Sequence, residues 1–142
     1  MKKAVLFLFV LATAAAPAPA SDGLPFRVIV NPSVTGRAIP RTVLAQVFLG
    51  AVPRWGNGDT IQALDLSSTS VVRQAFSEHV LGMSIDAVKH HWLRKIATGV
   101  RPPLSKATDE DVIAFVASQR GGVGYVSAAA TLPPTVHEIA VQ

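Results

Sequence analysis

Short apolar runs alternate with amphipathic helical patterns along most of this 142-residue chain. The runs lie at residues 26–30, 60–66 and 123–127, with a further candidate at 136–141. Between them, apolar residues recur at the three- and four-residue spacing of a helix face. Strands that alternate with helices predict an α/β domain with a mostly parallel sheet flanked by helices. Because few strands are visible, we expect the sheet to be small.

Capping residues indicate where the helices begin. Pro40 suits the first turn of one helix, since its fixed φ is already helical. Ser84 and Thr108 each precede a helical stripe as N-cap candidates, and Thr108 opens a segment of the capping-box form. Residues 33–39 and 101–103 are rich in Pro, Gly or polar residues, so we expect loops there.

Residues 1–20 have the pattern of a secretory signal peptide. Two lysines are followed by an apolar run over residues 4–16 and by small residues that end in Ala20. The apolar run is short for a membrane span, and an uncleaved anchor is the alternative interpretation. The sequence therefore predicts cleavage after Ala20, export to the periplasm, and one domain over residues 21–142.

Composition excludes several functional classes. The chain has no cysteine, so it has no disulfide, no lipid-modified cysteine and no thiol chemistry, and its core must stabilise it. Removal of Lys2 and Lys3 lowers Lys+Arg from 13 to 11 against 9 acidic residues, so the net charge falls from +4 to +2. That charge is too small to predict nucleic-acid binding. No later apolar run reaches membrane length, so we expect no membrane association after cleavage.

No motif for catalysis or metal binding is visible. The sequence lacks a nucleophile elbow, a zinc-protease motif and a Walker loop, while a Ser-His-Asp triad is left open because its members are distant in sequence. His90 and His91 are adjacent, which places them about 100° apart on a helix, and no third ligand has suitable spacing. We therefore expect a protein that is not an enzyme, with no catalytic residue, metal or cofactor.

The segment DLSSTSVVRQAF, residues 65–76, holds the candidate binding residues. Four consecutive hydroxyl residues precede a helical pattern. Hydroxyls and free N–H groups at a helix start suit an oxyanion, but the same residues suit an ordinary N-cap. Two interpretations stay open: an anion site formed by Ser68, Thr69, Ser70 and Arg73, or a turn and cap whose arginine lies in solvent.

Three phrases, in this order, resemble segments of the phosphate-type periplasmic substrate-binding proteins of ABC transporters. VFLGAVPRWGNGD (47–59) resembles a Phe-Leu-Gly segment followed by a loop tryptophan. DLSSTSVVRQAF stands where that family has a Gly-Ser-Gly-Thr-Arg phosphate loop, and RGGVGYVS (120–127) resembles its Gly-x-Gly-Tyr-Val strand. The resemblance covers residues 28–127 and implies one lobe of a type II periplasmic binding protein, whereas full members have two lobes.

The resemblance implies that phosphate or another small oxyanion is the ligand of the hydroxyl residues and the arginine. The loop departs from the family pattern. Aligned on Arg73, Val71 and Val72 replace the second glycine and the threonine, and Leu66 replaces a preceding arginine. Each lost charge-assisted donor costs about 1.5–3 kcal/mol. We therefore expect a degenerate site with millimolar phosphate affinity at best.

The resemblance to a single lobe leaves a second function open. A lobe face that meets another lobe in full members would be exposed in a short relative, and large exposed apolar patches mark interfaces. Such a face predicts contact with another protein or with a second copy of this chain. By the same resemblance, Trp55 is expected to pack in its loop. Trp92 lies on a helix stripe and is expected to pack in the core or on the lobe surface.

Overall fold

The computed structural model describes residues 23–142, and the predicted signal segment lies outside them. The strands are β1 (Phe26–Val30), β2 (Ala38–Ile39), β3 (Gln62–Leu66), β4 (Leu104–Lys106), β5 (Gly122–Ser127) and β6 (His137–Val141). The helices are α1 (Arg41–Phe48), α2 (Val71–Phe76), α3 (Ile85–Ile96) and α4 (Asp109–Ser118), and a π-helical segment (Ser77–Leu81) continues α2. This arrangement confirms the predicted α/β class.

The six strands form one sheet in the order β2-β6-β1-β5-β3-β4. Strand β1 is antiparallel to both of its neighbours, β5 and β6. The other three pairings, β2 with β6 and β3 with both β4 and β5, are parallel. Because β3, β4 and β5 run the same way, their carboxyl ends meet at one edge of the sheet. The loop that begins after β3 lies at this edge.

All four predicted strands are present, and two short strands were missed. Strand β2 falls inside residues 33–39, so the prediction of a loop there is wrong for Ala38 and Ile39. Strand β4 has the sequence LSK, and all three residues are exposed. Such a short segment with one apolar residue does not show the apolar alternation that marks a strand in sequence. Both are the outermost strands of the sheet, where short strands limit unwanted pairing with other chains.

The core fills both faces of the sheet. The Tyr125 ring stacks on Phe76 with centroids 3.9 Å apart, and Phe48 meets Phe76 edge-on at 4.8 Å. Successive strand residues point to opposite faces, so the neighbouring Gly124 faces the other side. A Cβ at Gly124 would lie 2.8 Å from Val112, which shows how closely α4 approaches β5.

Caps confirm the predicted helix starts. Ser84 Oγ accepts a hydrogen bond from Ala87 N at 3.1 Å, and Thr108 Oγ1 accepts one from Asp111 N at 3.2 Å. Pro40 immediately precedes α1. Among the helices of residues 23–142, none combines the length and apolar composition that a bilayer crossing requires.

Both tryptophans have the packing roles expected of them. Trp55 Nε1 donates a hydrogen bond to the Gly121 carbonyl oxygen at 2.9 Å, which ties its loop to the start of β5. Trp92 is buried on α3 and lies so close to Gly50 that a Cβ there would be 2.7 Å from the indole. Gly50 also has a φ of 76°, which side-chain-bearing residues rarely adopt.

Candidate functional site

The loop of residues 67–70 joins the carboxyl end of β3 to the start of α2. Ser70 N donates to the Ser67 carbonyl oxygen at 2.9 Å, and Ser67 Oγ lies 3.1 Å from Thr69 Oγ1. Ser67 N donates to the Lys106 carbonyl oxygen at 2.9 Å, which fixes the loop to the end of β4. The hydroxyl run is therefore a tight turn held by its own hydrogen bonds and by the neighbouring strand.

Ser70 is the N-cap of α2. Its Oγ accepts hydrogen bonds from Val72 N at 3.2 Å and from Arg73 N at 3.3 Å. Its backbone is extended, with φ −74° and ψ 132°, as is usual for an N-cap. The capping role predicted for Ser70 is confirmed, and two first-turn N–H groups are occupied by it.

Ser68, Thr69 and Val71 present the open polar groups of the loop. The amides of Ser68 and Val71 have no acceptor among residues 23–142. The side chains of Ser68 and Thr69 are exposed, and Val71 is 79% exposed. An anion that approached this surface would meet two backbone N–H groups and two hydroxyls.

Arg73, the fourth candidate residue, turns into the protein. Its Nη1 lies 2.8 Å from Asp65 Oδ2 and donates to the Leu66 carbonyl oxygen at 3.2 Å. Only 9% of the residue is exposed, and its Nε is buried without a hydrogen-bond partner. Arg73 thus lies neither at the mouth of the loop nor in solvent. The expectation of a solvated arginine is wrong because an acid on β3 faces it.

Asp65, Arg73 and Tyr125 form a buried polar network beside the loop. Tyr125 Oη donates to Asp65 Oδ1 and accepts a hydrogen bond from Leu66 N at 3.3 Å. Burial raises the pKa of the Asp65 carboxyl, against the Arg73 charge and the Tyr125 hydrogen bond, which lower it. Burial and the adjacent Asp65 raise the pKa of Tyr125, so its hydroxyl stays protonated and donates. The network connects β3, α2 and β5.

The sequence analysis missed Asp65 and Tyr125. Two signals were present: Tyr125 is the chain's one tyrosine, and Asp65 is the one charged residue of the apolar run 60–66. A buried carboxylate needs a partner, so an acid inside a strand predicts one. The sequence does not say which arginine supplies it.

Two of the four histidines lie beside other groups of the protein. His91 Nε2 lies 2.9 Å from the Leu49 carbonyl oxygen, and the His79 ring lies 6.4 Å from the Phe26 ring. Within residues 23–142, no three His, Asp or Glu side chains are grouped as a metal ion requires.

The fold is similar to solved structures of phosphate transport proteins. An ABC-type phosphate transport receptor from Vibrio cholerae has a TM-score of 0.65 and 17% identity, over 82% of this chain and 46% of that chain. A putative phosphate ABC transporter substrate-binding protein from Clostridium perfringens, solved with bound phosphate, has a TM-score of 0.66 and 13% identity. The match covers 82% of this chain and 44% of that chain. PstS from Borrelia burgdorferi has a TM-score of 0.65 and 12% identity, over 83% of this chain and 47% of that chain.

No family model and no curated protein matches the sequence. At these identities the likeness shows the fold. The chain spans less than half the length of the three structures, which fits the expected match to one lobe. This chain therefore has the α/β fold of one part of the phosphate ABC transporter substrate-binding proteins.

Proposed function

We propose that this chain is an exported protein of the solute-binding fold. It binds phosphate or another small oxyanion weakly at the loop of residues 67–70 and the first residue of α2, Val71. The observation that carries the proposal is the pair of open amides, Ser68 N and Val71 N, beside the exposed hydroxyls of Ser68 and Thr69. Backbone N–H groups at the start of a helix are common anion ligands. The similarity to a structure solved with bound phosphate supports the same ligand class.

The four candidate residues divide into two roles in this proposal. Ser68 and Thr69 contact the anion, whereas Ser70 and Arg73 hold the loop in place through the cap and the buried ion pair. Because Asp65 compensates the Arg73 charge, the arginine adds little attraction at the surface. We therefore expect a millimolar dissociation constant for phosphate, about −4 kcal/mol.

Val71→Pro tests the proposal by removing one donor. Val71 is the first residue of α2, where proline fits because its missing N–H makes no intrahelical bond. Ser70 has the extended backbone that a residue before proline prefers. Val71→Ala is the matched control, since it shortens the side chain and keeps the N–H. Phosphate binding is followed by amide NMR titration of the isotope-labelled protein.

We expect wild type and Val71→Ala to saturate in the millimolar range, with the largest shifts at Ser68 and Thr69. Val71→Pro should bind about tenfold more weakly, as the loss of one charge-assisted hydrogen bond implies. Equal affinity of the two variants would contradict a role for this amide. Absence of a saturable shift in wild type would reject the site, and micromolar affinity would require donors beyond this loop.

Export is tested separately. The pattern of residues 1–20 predicts that the protein recovered from the periplasm of a Gram-negative host begins after Ala20. Mass spectrometry of the recovered protein gives its N-terminus. Full-length protein retained in the membrane fraction would contradict cleavage.

Val71 also favours a second candidate function, protein interaction through the same loop face. Val71 is 79% exposed beside the exposed Ser68 and Thr69, so it offers a partner one apolar contact on this loop face. If the partner is a second copy, sedimentation velocity at micromolar concentration should reveal a dimer that Val71→Ser weakens. A monomer at high concentration would reject self-association.

A further inference from the structure

The stretch from α3 to β4 is strongly basic. No acidic residue lies between Asp86 and Asp109. Five basic residues occur there: Lys89, Arg94, Lys95, Arg101 and Lys106. Four apolar side chains of the same stretch are exposed: Leu93 at 56%, Ile96 at 51%, Val100 at 36% and Leu104 at 65%. We call these nine residues the α3–β4 surface.

Within residues 23–142, the basic side chains of the α3–β4 surface form no ion pair, and its apolar side chains are exposed. Helix α3 buries Val88 and Trp92, whereas Leu93 and Ile96 are exposed at its C-terminal end. In the part of the chain that the structure describes, ion pairs involve Arg27, Arg73 and Arg120 and none of the five basic residues of this surface. Both its charge and its apolar area are therefore available to a partner.

The α3–β4 surface is continuous in space. A Cβ at Gly50 would lie 2.7 Å from Trp92 and 3.4 Å from Val100, so the segment after α3 folds back against the helix. Trp92, Val100 and Leu104 line one open cleft of about 330 Å³. Strand β4 is the last strand on its side of the sheet. The end of α3, the segment that follows it and this edge of the sheet therefore meet at one cleft.

We propose that the α3–β4 surface binds the face of a bilayer that contains anionic phospholipids. Its apolar and basic residues interleave: each exposed apolar residue has a lysine or arginine within two positions, as in Leu93–Arg94 and Val100–Arg101. At a bilayer surface, apolar side chains enter the boundary between headgroups and acyl chains while cations contact the phosphates. The interleaved pattern meets both requirements at once.

The charge distribution disfavours other occupants. Protein interfaces place charges at the rim and deplete them at the centre, whereas here the cations alternate with the exposed apolar residues along the sequence. A second copy that docked through the same surface would oppose five basic residues with five more. The sequence-based expectation of no membrane association considered only apolar runs of membrane length, and it did not consider this local excess of positive charge.

The cysteine-free sequence permits a site-specific test on the full chain. An environment-sensitive fluorophore is attached to Leu93→Cys or, as a control, to Thr135→Cys. Thr135 is exposed and precedes β6, which is separated from β4 by three strands of the sheet. The labelled proteins are mixed with vesicles of phosphatidylglycerol and phosphatidylcholine, or of phosphatidylcholine alone. Residues 1–22 are the same in both labelled proteins, so a response confined to position 93 is not explained by them.

We expect a blue shift at position 93 with the anionic vesicles, its loss at high salt, and no shift at Thr135 or with phosphatidylcholine alone. In the Leu93→Cys protein, the pair Arg94→Gln and Arg101→Gln should weaken vesicle affinity about tenfold or more. The matched pair Arg37→Gln and Arg41→Gln, exposed at the β2 side of the sheet, carries the same net charge. This control should stay within about twofold of the unmodified affinity.

Three results would overturn the proposal. The first is no response at position 93 to anionic vesicles, or an equal response to phosphatidylcholine alone. The second is an equal loss of affinity in both arginine pairs, which would reflect net charge rather than this surface. The third is binding of soluble polyglutamate without binding of anionic vesicles, which would assign the surface to an acidic protein.

Discussion

The β3–α2 junction and the α3–β4 surface both contain arginines, but the protein uses them in opposite ways. At the junction, Arg73 is buried against Asp65 and its helix start is capped by Ser70. On the α3–β4 surface, Arg94 and Arg101 are exposed and lie in no ion pair of the described residues. Whether an arginine is available to a partner thus depends on whether the fold places an acid opposite it.

Replacement of the two kinds of arginine should give the largest contrast. Arg73→Ala is expected to lower the free energy of unfolding by about 3 to 5 kcal/mol, because Asp65 stays buried without its cation. Arg94→Ala, the matched surface control, should change it by less than about 0.5 kcal/mol. Denaturant unfolding followed by circular dichroism measures both. Similar values for the two variants would contradict the contrast.

Tyr125→Phe tests the second partner of the buried carboxylate. The variant keeps the ring that stacks on Phe76 but leaves Asp65 Oδ1 without its donor and Leu66 N without its acceptor. We expect a loss of about 1 to 3 kcal/mol. Because the groups share one network, the loss should be different in the Arg73→Ala background. Strict additivity of the two changes would argue against a connected network.

The smallest effect should separate capping from binding within the loop. Ser70→Ala is expected to destabilise the fold by about 1 kcal/mol and to leave phosphate affinity unchanged while the protein is folded. Ser68→Ala, two positions away and exposed, should change stability by less than about 0.5 kcal/mol and weaken phosphate binding. Combined denaturation and NMR titration of both variants tests this division. The reverse pattern would show that the cap serine contacts the anion.

Local patterns in the sequence were sufficient for the fold class and the helix starts, and they gave the cap at Ser70 as one of two open interpretations. Each depends on residues close together in sequence, such as a hydroxyl before a helical stripe. The partner of Arg73 was not predictable in this way. The pattern of residues 60–66 predicts a strand, but it does not say that Asp65 faces Arg73. Tyr125 lies on β5, which becomes a neighbour of β3 through the strand order, and no local pattern reports strand order. Strands β2 and β4 were missed because pairing, rather than apolar alternation, defines them.

Strand β1 lies inside the sheet, but its two partners, β5 and β6, are the last strands along the chain. During synthesis, the FRVIV segment stays unpaired until those strands have left the ribosome. Pairing over such a distance is slow, since loop closure precedes the contacts that stabilise it. If the chain is exported unfolded, as proposed above, slow folding would preserve the transportable state. The same delay leaves an apolar segment open to aggregation, so we expect a chaperone that holds unfolded chains to raise the yield of this protein.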